Sequence, residues 1–221
     1  MQPGVRTVEG ELRAALDSVY GRWDSLAVAG RTDTGVHALA NVASAEVEGG
    51  PPTERAREAL NAVLPDDLAI VAADPAAEDF HARHSARARA YRYRILRRRA
   101  PSPLEARRAW WNPRPLDRAA LDESAALLVG EHDFRAFTPS ATQHRLLTRT
   151  VLQARWVEVG ELLELEIEAN SFLRHMVRTL VGTMVDQSPA QVSELLRGGG
   201  RREDAGSTAP PWGLYLERVR Y

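Results

Sequence analysis

The sequence has no cysteine, and this absence removes several kinds of chemistry at once. Disulfide bonds, thiol catalysis and the usual structural zinc sites are excluded. No apolar run approaches the ~18 residues that a membrane-spanning helix needs, and the start, MQPGVRTVEGELRAAL, lacks the basic and apolar regions of a signal peptide. The six histidines are scattered, and only His81 and His84 lie close together. We therefore expect a cytoplasmic protein without membrane contact and without a metal site.

Lysine is also absent, so all 29 basic residues are arginine. Twelve of them lie between Arg83 and Arg118, where only Glu105 and Asp117 are acidic. Arginine grips phosphate with a planar fork and stacks on bases, and tyrosines and tryptophans lie within the same block. This local excess of positive charge is typical of an RNA-binding surface, although the net charge of the whole chain is only -1. An ordinary solvated face is the alternative.

Apolar spacing predicts a regular set of elements in the first hundred residues. Residues 7–20 carry apolar side chains on one helical face, with Thr7 as the N-cap, and residues 53–64 repeat the helical spacing until Pro65 ends it. The stretches SLAVAG, NVASAEVE and LAIVAAD are predicted strands, the last of them buried. In AYRYRILR, aromatic and basic residues alternate with period 2, which predicts a strand with an aromatic face and a basic face.

A second set of elements follows the arginine- and proline-rich connection at residues 97–115. DRAALDESAALLVG is a predicted helix, TVLQARWVEV and ELLELEIEA form a predicted hairpin around Gly160, and WGLYLERVRY is a final strand. SFLRHMVRTLVGTMVDQ has a continuous apolar stripe and predicts one long helix over residues 171–187, and SPAQVSELLRGG predicts another. We expect an α+β fold of two halves, 1–100 and 101–221, with helices on one face of a mostly antiparallel sheet.

The stretch AGRTDTGVHA at residues 29–38 places one carboxylate, Asp33, among residues that tolerate tight turns. It is not a phosphate-binding loop, because the glycine spacing is wrong and no lysine is present, and it is not a GxSxG elbow. An Asx turn, in which Asp33 bonds to nearby backbone N–H groups, is the structural interpretation. A catalytic carboxylate is the functional one.

AGRTDTGVHA closely resembles the AGRTDxGVHA signature of the TruA family of tRNA pseudouridine synthases. Further segments follow in the family's order: NAVLPDDLAI, DFHARHSARARAYRYRI, LVGEHDFRAF, NSFLRHMVRTLVGTM and STAPPWGLYLERVRY. The resemblance therefore covers nearly the whole chain. It implies the pseudouridine synthase fold, in which two related halves share one sheet and the active cleft lies between them.

The resemblance also implies the reaction, which converts uridine to pseudouridine in the anticodon stem-loop of tRNA, at positions 38 to 40, without a cofactor. It implies a homodimer that binds tRNA and a catalytic aspartate that matches Asp33. Breaking an N-glycosidic bond develops positive charge at C1′ of the ribose, and a carboxylate can stabilise that charge or bond to it. A glycosidase needs a second carboxylate to activate water. Here the detached uracil must reattach through C5, so one carboxylate in a dry pocket suffices.

Other family positions supply partners for Asp33. The arginine of HMVR is Arg178, which would keep the carboxylate ionised, and Arg174 one turn earlier could compete for that role. Tyr91 matches the active-site tyrosine, which can stack on uracil or move the C2′ proton. Arg31 is expected to hold the flipped nucleotide.

His37 and Arg83 also fall in matched segments, and we expect them to pack or to contact RNA. Two features depart from the family: Thr34 replaces a common alanine, and the chain begins after the segment in which the family has a first strand with YDG and GWQ. One strand is therefore expected to be missing. A catalytically impaired RNA-binding module is the alternative function, and an N-glycosidase that releases uracil is a third.

Overall fold

The computed structural model describes residues 4–142 and 144–221. They separate into two compact units, one made of the chain up to Gly30 with Val42–Ala86, and one made of Arg31–Asn41 with Arg87–Tyr221. We call these unit 1 and unit 2. The predicted division into residues 1–100 and 101–221 stays a prediction.

Unit 1 is built around two predicted helices, α1 (Val8–Val19) and α2 (Thr53–Asn61). The Thr7 hydroxyl caps α1 by accepting a hydrogen bond from the N–H of Gly10 at 3.1 Å, as the sequence predicts. Leu12 and Leu16 of α1 are buried in one apolar cluster with Leu60 of α2. The helical spacing therefore identified the centre of the buried face of both helices, while the predicted face residues Val8 and Val63 are exposed and α2 ends at Asn61, before Val63.

The sheet of unit 1 has two antiparallel strands, β1 (Arg22–Val28) and β3 (Ala43–Glu48). The sequence predicts one sheet shared by both halves. The strands in the described part of the chain instead form two sheets, one of two strands and one of seven. The side chains of β1 and β3 are exposed or half-buried. Because neither strand has a fully buried face, side-chain burial alone does not determine which further strands would pair with them.

The buried strand predicted at residues 68–74 is wrong. The segment has no strand structure, and Val71 is 70% exposed. Its backbone at Ile70 instead pairs with the side-chain amide of Asn61, which donates to the Ile70 carbonyl at 2.9 Å and accepts from its N–H at 2.7 Å. The apolar residues of this segment therefore form a loop that closes on α2.

Unit 2 contains a seven-stranded mixed sheet. Its strands are β2 (His37–Ala38), β4 (Ala88–Leu96), β5 (Trp110–Trp111), β6 (Gly130–Asp133), β7 (Thr148–Val159), β8 (Leu162–Ala169) and β9 (Leu214–Arg220). The order is β2-β9-β4-β8-β7-β6, with β5 paired to the end of β4. Pairing is antiparallel except that β2 runs parallel to β9 and β5 parallel to β4. The α+β class, with a largely antiparallel sheet, is confirmed.

One face of this sheet is apolar and packs against helices. Tyr93, Ile95 and Leu165 are fully buried in a cluster that also contains residues of α3 (Arg118–Leu127), α4 (Met176–Asp186) and α5 (Pro189–Glu194). Side chains on alternate positions point the other way and form ion pairs, such as those of Arg92 and Arg94 with Glu164.

The long helix predicted over residues 171–187 is shorter than expected. It begins at Met176, because His175 has a left-handed backbone conformation with φ of +62°. Residues 171–173 before it have no regular structure, and a turn at 174–175 is closed by the N–H of Met176, which donates to the Leu173 carbonyl at 3.2 Å. None of the helices in the described part of the chain has the length and apolar character needed to cross a bilayer.

Candidate active site

Asp33 lies in a tight turn that leads into β2. The N–H of Val36 donates to the carbonyl oxygen of Asp33 at 3.0 Å, and Gly35 has φ of +84°. A Cβ atom on Gly35 would lie only 3.2 Å from the Pro211 side chain, so the turn fits closely against the segment before β9. The Asx-turn interpretation is not supported, because the carboxylate is bound by side chains from α4 and its N-terminus instead.

Arg178 of α4 is the main partner of that carboxylate. Its Nη1 donates to Oδ2 of Asp33 at 2.8 Å, and its Nε donates to the carbonyl oxygen of Ala209 at 2.8 Å. The N–H of Ala209 donates in return to the Arg178 carbonyl at 3.1 Å. Arg174 is exposed and does not pair with Asp33 in the described structure. The side chains of Arg178 and Asp33 are 13% and 30% exposed, so the ion pair is partly shielded and the carboxylate stays accessible.

His175 is a site residue that sequence reasoning missed. Its Nε2 lies 3.5 Å from Oδ1 of Asp33, the oxygen opposite the one that Arg178 binds. Burial lowers the pKa of His175 below its usual value, and nearby arginines act in the same direction, while Asp33 acts against them. The signal was present in HMVR, because His175 directly precedes α4 and lies only three residues before Arg178.

Tyr91 of β4 lies at the border between the apolar core and the site. Its ring packs edge-on against Phe172, with 5.0 Å between ring centroids. Burial raises the pKa of Tyr91 to about 12, Arg89 lowers it and Asp33 raises it. The neighbouring Tyr93 is a core residue, since it is fully buried and its hydroxyl donates to the Pro210 carbonyl at 2.8 Å.

The other predicted site residues are spread more widely. Arg31 is exposed, two positions before Asp33. His37 of β2 stacks on Tyr215 of β9, with 4.6 Å between ring centroids, and its Nε2 lies 2.8 Å from the carbonyl oxygen of Arg107. Arg83 is exposed and belongs to unit 1, where its N–H donates to Nδ1 of His81 at 3.2 Å. The structure thus joins Asp33 with Arg178, and the RNA contact of Arg83 stays a prediction.

Two glycines allow the segment that binds Arg178 to lie directly on α4. A Cβ atom on Gly182 would collide with the carbonyl oxygen of Ser207, and one on Gly206 would lie 2.6 Å from Cα of Thr183. The N–H of Gly206 donates to the Thr183 hydroxyl at 3.0 Å. The backbones of α4 and of the segment at Gly206 and Ser207 therefore lie in direct contact at these two glycines.

The fold and the site define a class of protein: an α+β protein with a partly exposed carboxylate held by an arginine beside a neutral tyrosine. Such a carboxylate can stabilise positive charge that develops at a sugar carbon, or form a bond to that carbon. A family model described as "tRNA pseudouridine synthase" matches residues 1–85 and 124–221. The chain belongs to the tRNA pseudouridine synthase family, which confirms the resemblance of its motifs.

Curated relatives agree with this assignment over nearly the full length. The chain is 44% identical to tRNA pseudouridine synthase A of Thermus thermophilus, over 99% of this chain and 88% of the relative. It is 42% identical to the proteins of the same name from Moorella thermoacetica and Paramagnetospirillum magneticum, over 97% of this chain and 89% and 86% of those relatives.

Proposed function

We propose that this protein isomerises uridine to pseudouridine in tRNA and that its target lies in the anticodon stem-loop. The observation that carries the proposal is the bond between Arg178 and Asp33, which joins the signature turn to α4. A single carboxylate with a fixed guanidinium partner meets the demand of the reaction, since positive charge develops at C1′ when the N-glycosidic bond breaks. Membership of the family and the names of its relatives support tRNA as the substrate.

Asp33 is the proposed group that acts on the ribose. Arg178 binds Oδ2 and so orients the carboxylate, leaving Oδ1 on the side of His175. In the reaction the bond from N1 to C1′ breaks, the uracil turns, a bond from C5 to C1′ forms, the C5 proton leaves, and N1 takes up a proton. Asp33 either bonds to C1′ in the interval or assists loss of the C2′ proton.

Tyr91 and Arg31 are proposed to handle the base. A tyrosine whose pKa is about 12 is a neutral hydroxyl at neutral pH, so Tyr91 can stack on uracil and donate a proton but is a poor base. A uridine in a paired stem must leave the helix to be reached, and the exposed guanidinium of Arg31 beside Asp33 can hold the flipped nucleotide.

The decisive experiment is Asp33→Asn, assayed by carbodiimide mapping of pseudouridine in tRNA. The change is nearly isosteric but removes the charge, so we expect pseudouridine formation to be abolished while the protein stays folded. Asp122→Asn is the matched control, because Asp122 is also an aspartate held by an arginine, Arg118, at 2.8 Å but on an exposed helix face. Activity retained in Asp33→Asn would refute the assignment.

The same assay separates the alternative functions. Wild-type protein that binds tRNA but forms no pseudouridine would be an RNA-binding module, and release of free uracil would indicate an N-glycosidase. Measuring both products on one tRNA sample therefore decides between the three functions.

The family also supports further proposals about the assembly. We infer a cytoplasmic homodimer in which one tRNA contacts both subunits, and a cleft between two related halves. Light scattering during size-exclusion chromatography tests the dimer, and a monomer at assay concentrations would contradict it.

A further inference from the structure

A short turn at residues 102–108, which we call the 102–108 turn, lies between β4 and β5 in unit 2. Its backbone is closed by its own hydrogen bonds: the N–H of Glu105 donates to the Ser102 carbonyl at 3.2 Å and that of Arg108 to the Glu105 carbonyl at 2.9 Å. Arg107 has φ of +59°, a left-handed conformation that costs free energy for a residue other than glycine. Such a conformation persists only when the surrounding structure holds it.

Three strands hold the turn in this conformation. His37 of β2 donates from Nε2 to the carbonyl oxygen of Arg107 at 2.8 Å. The Tyr215 hydroxyl of β9 donates to the carbonyl oxygen of Arg108 at 2.7 Å, and Nη1 of Arg94 of β4 donates to the same oxygen at 3.2 Å. Every one of these bonds is to the backbone, so the side chains of Arg107 and Arg108 are left to point outward, where both are exposed.

The charge on this turn is not compensated by carboxylates, unlike that of half of the arginine block. Six arginines of the block form ion pairs with carboxylates: Arg92, Arg94, Arg97, Arg98, Arg114 and Arg118. Glu105 of the turn itself is turned inward, 3.2 Å from Arg94. Within residues 4–142 and 144–221, no carboxylate pairs with Arg107 or Arg108. Two adjacent guanidinium groups on a fixed backbone thus face solvent.

We propose that the 102–108 turn binds phosphate groups of the tRNA backbone and that His37 is a positioning residue for it. The inference rests on the proposed function, which supplies a polyanionic substrate. A guanidinium matches the geometry of a phosphate, and adjacent free arginines suit consecutive phosphates. His37 lies four residues after Asp33 on the same segment, so its bond to Arg107 fixes the phosphate contact relative to the reacting carboxylate.

The first test is the salt dependence of tRNA binding by Arg107→Gln/Arg108→Gln. Each phosphate contact contributes about 0.7 to 0.9 to the slope of log K against log salt, so loss of two contacts should reduce that slope by about 1.4 to 1.8. The matched control is Arg97→Gln/Arg98→Gln, which makes the same charge change at arginines paired with Glu158 and Glu161. We expect a clearly smaller change in slope for the control. Equal changes would overturn the proposal.

The positioning role of His37 is tested through the same slope. His37→Ala should reduce the slope and raise KM more than it lowers kcat, and His37→Gln, which keeps an N–H donor, should restore part of the loss. Tyr215→Phe removes the hydroxyl that donates to the Arg108 carbonyl and accepts from Arg94, keeps the ring that stacks on His37, and should act in the same direction. If His37→Ala fails to fold, His37→Phe replaces it, because phenylalanine keeps a ring to stack on Tyr215 but lacks the donor to Arg107, and a slope equal to that of wild type would overturn the positioning role.

A double-mutant cycle tests whether His37 acts through Arg107 and Arg108. In the Arg107→Gln/Arg108→Gln background, His37→Ala should change the slope little further, because the contacts it positions are already absent. A full additional loss would show that His37 contacts RNA by itself, which contradicts the proposal. Failure of wild-type protein to modify tRNA would overturn the proposed function. If wild-type protein modifies tRNA normally but the salt slope of Arg107→Gln/Arg108→Gln equals that of wild type, only the present inference is overturned. If the turn binds an acidic peptide but not RNA, the inference is also overturned, and the turn is assigned to a protein partner.

Discussion

Replacing Arg178 with methionine tests the central ion pair by stability alone, without a tRNA assay. The variant loses the bonds of Arg178 to Asp33 and to the Ala209 carbonyl but keeps an apolar stem of similar length. Exposed ion pairs contribute about 0 to 1 kcal/mol and breaking a fully buried pair costs about 3 to 5 kcal/mol. Exposures of 13% and 30% place this pair between those limits. We therefore expect a total loss of about 3 kcal/mol in the free energy of unfolding, or roughly 6 to 12 °C in Tm.

The informative quantity is the coupling between Arg178→Met and Asp33→Asn, measured by urea unfolding followed by circular dichroism. The bond to Ala209 is lost in either background, so it cancels. The amide introduced by Asp33→Asn carries no charge, so the cost of Arg178→Met should fall by about 1 to 2 kcal/mol in that background. The same cycle on the exposed pair Arg118 and Asp122 should give a coupling of at most about 0.5 kcal/mol. Additivity within about 0.5 kcal/mol at Asp33 and Arg178 would refute the reasoning.

Three further predictions concern the residues around Asp33. Arg31→Ala should impair turnover more than tRNA binding measured on filters; equal losses would indicate a phosphate contact instead. Because the pKa of Tyr91 is raised to about 12, Tyr91→Phe should lower the rate by a constant factor between about pH 7 and 9, and a tyrosine-dependent inflection in that range would contradict this. The pKa of His175 is lowered in the folded protein, so as the pH falls the unfolded chain becomes protonated at this histidine before the folded one does. The free energy of unfolding should therefore fall as the pH drops through the usual histidine value of 6.5. In His175→Asn, which tolerates the left-handed backbone, Tm should fall less between about pH 7 and 5, and an equal fall would argue against a titrating His175.

Sequence patterns predicted the elements whose partners are local. The cap at Thr7 and the burial of Leu12 and Leu16 depend only on residues three and four apart, and both predictions were confirmed, although Val8 of the predicted face is exposed. The pairing of Asp33 with Arg178, 145 residues apart, was predicted only because the family resemblance joined the two motifs. No periodicity in either segment indicates that contact.

The errors arose where side-chain contacts that apolar spacing does not reveal override the predicted helix or strand. Apolar spacing continues from Phe172 into α4, but the chain turns at His175, so the helix starts later and the histidine reaches Asp33. Residues 68–74 look like a strand, yet Asn61 binds their backbone as a loop. β2 has only two residues and is defined by its pairing with β9, which its own sequence does not reveal.

The backbone contact at Gly182 and Gly206 determines when the conformational entropy of the Arg178 side chain is lost. The close backbone contact at these two glycines, together with the bond from Arg178 Nε to the Ala209 carbonyl, orients the guanidinium before any nucleotide arrives. The entropy of aligning that group is lost when the polypeptide folds and not again in each catalytic cycle.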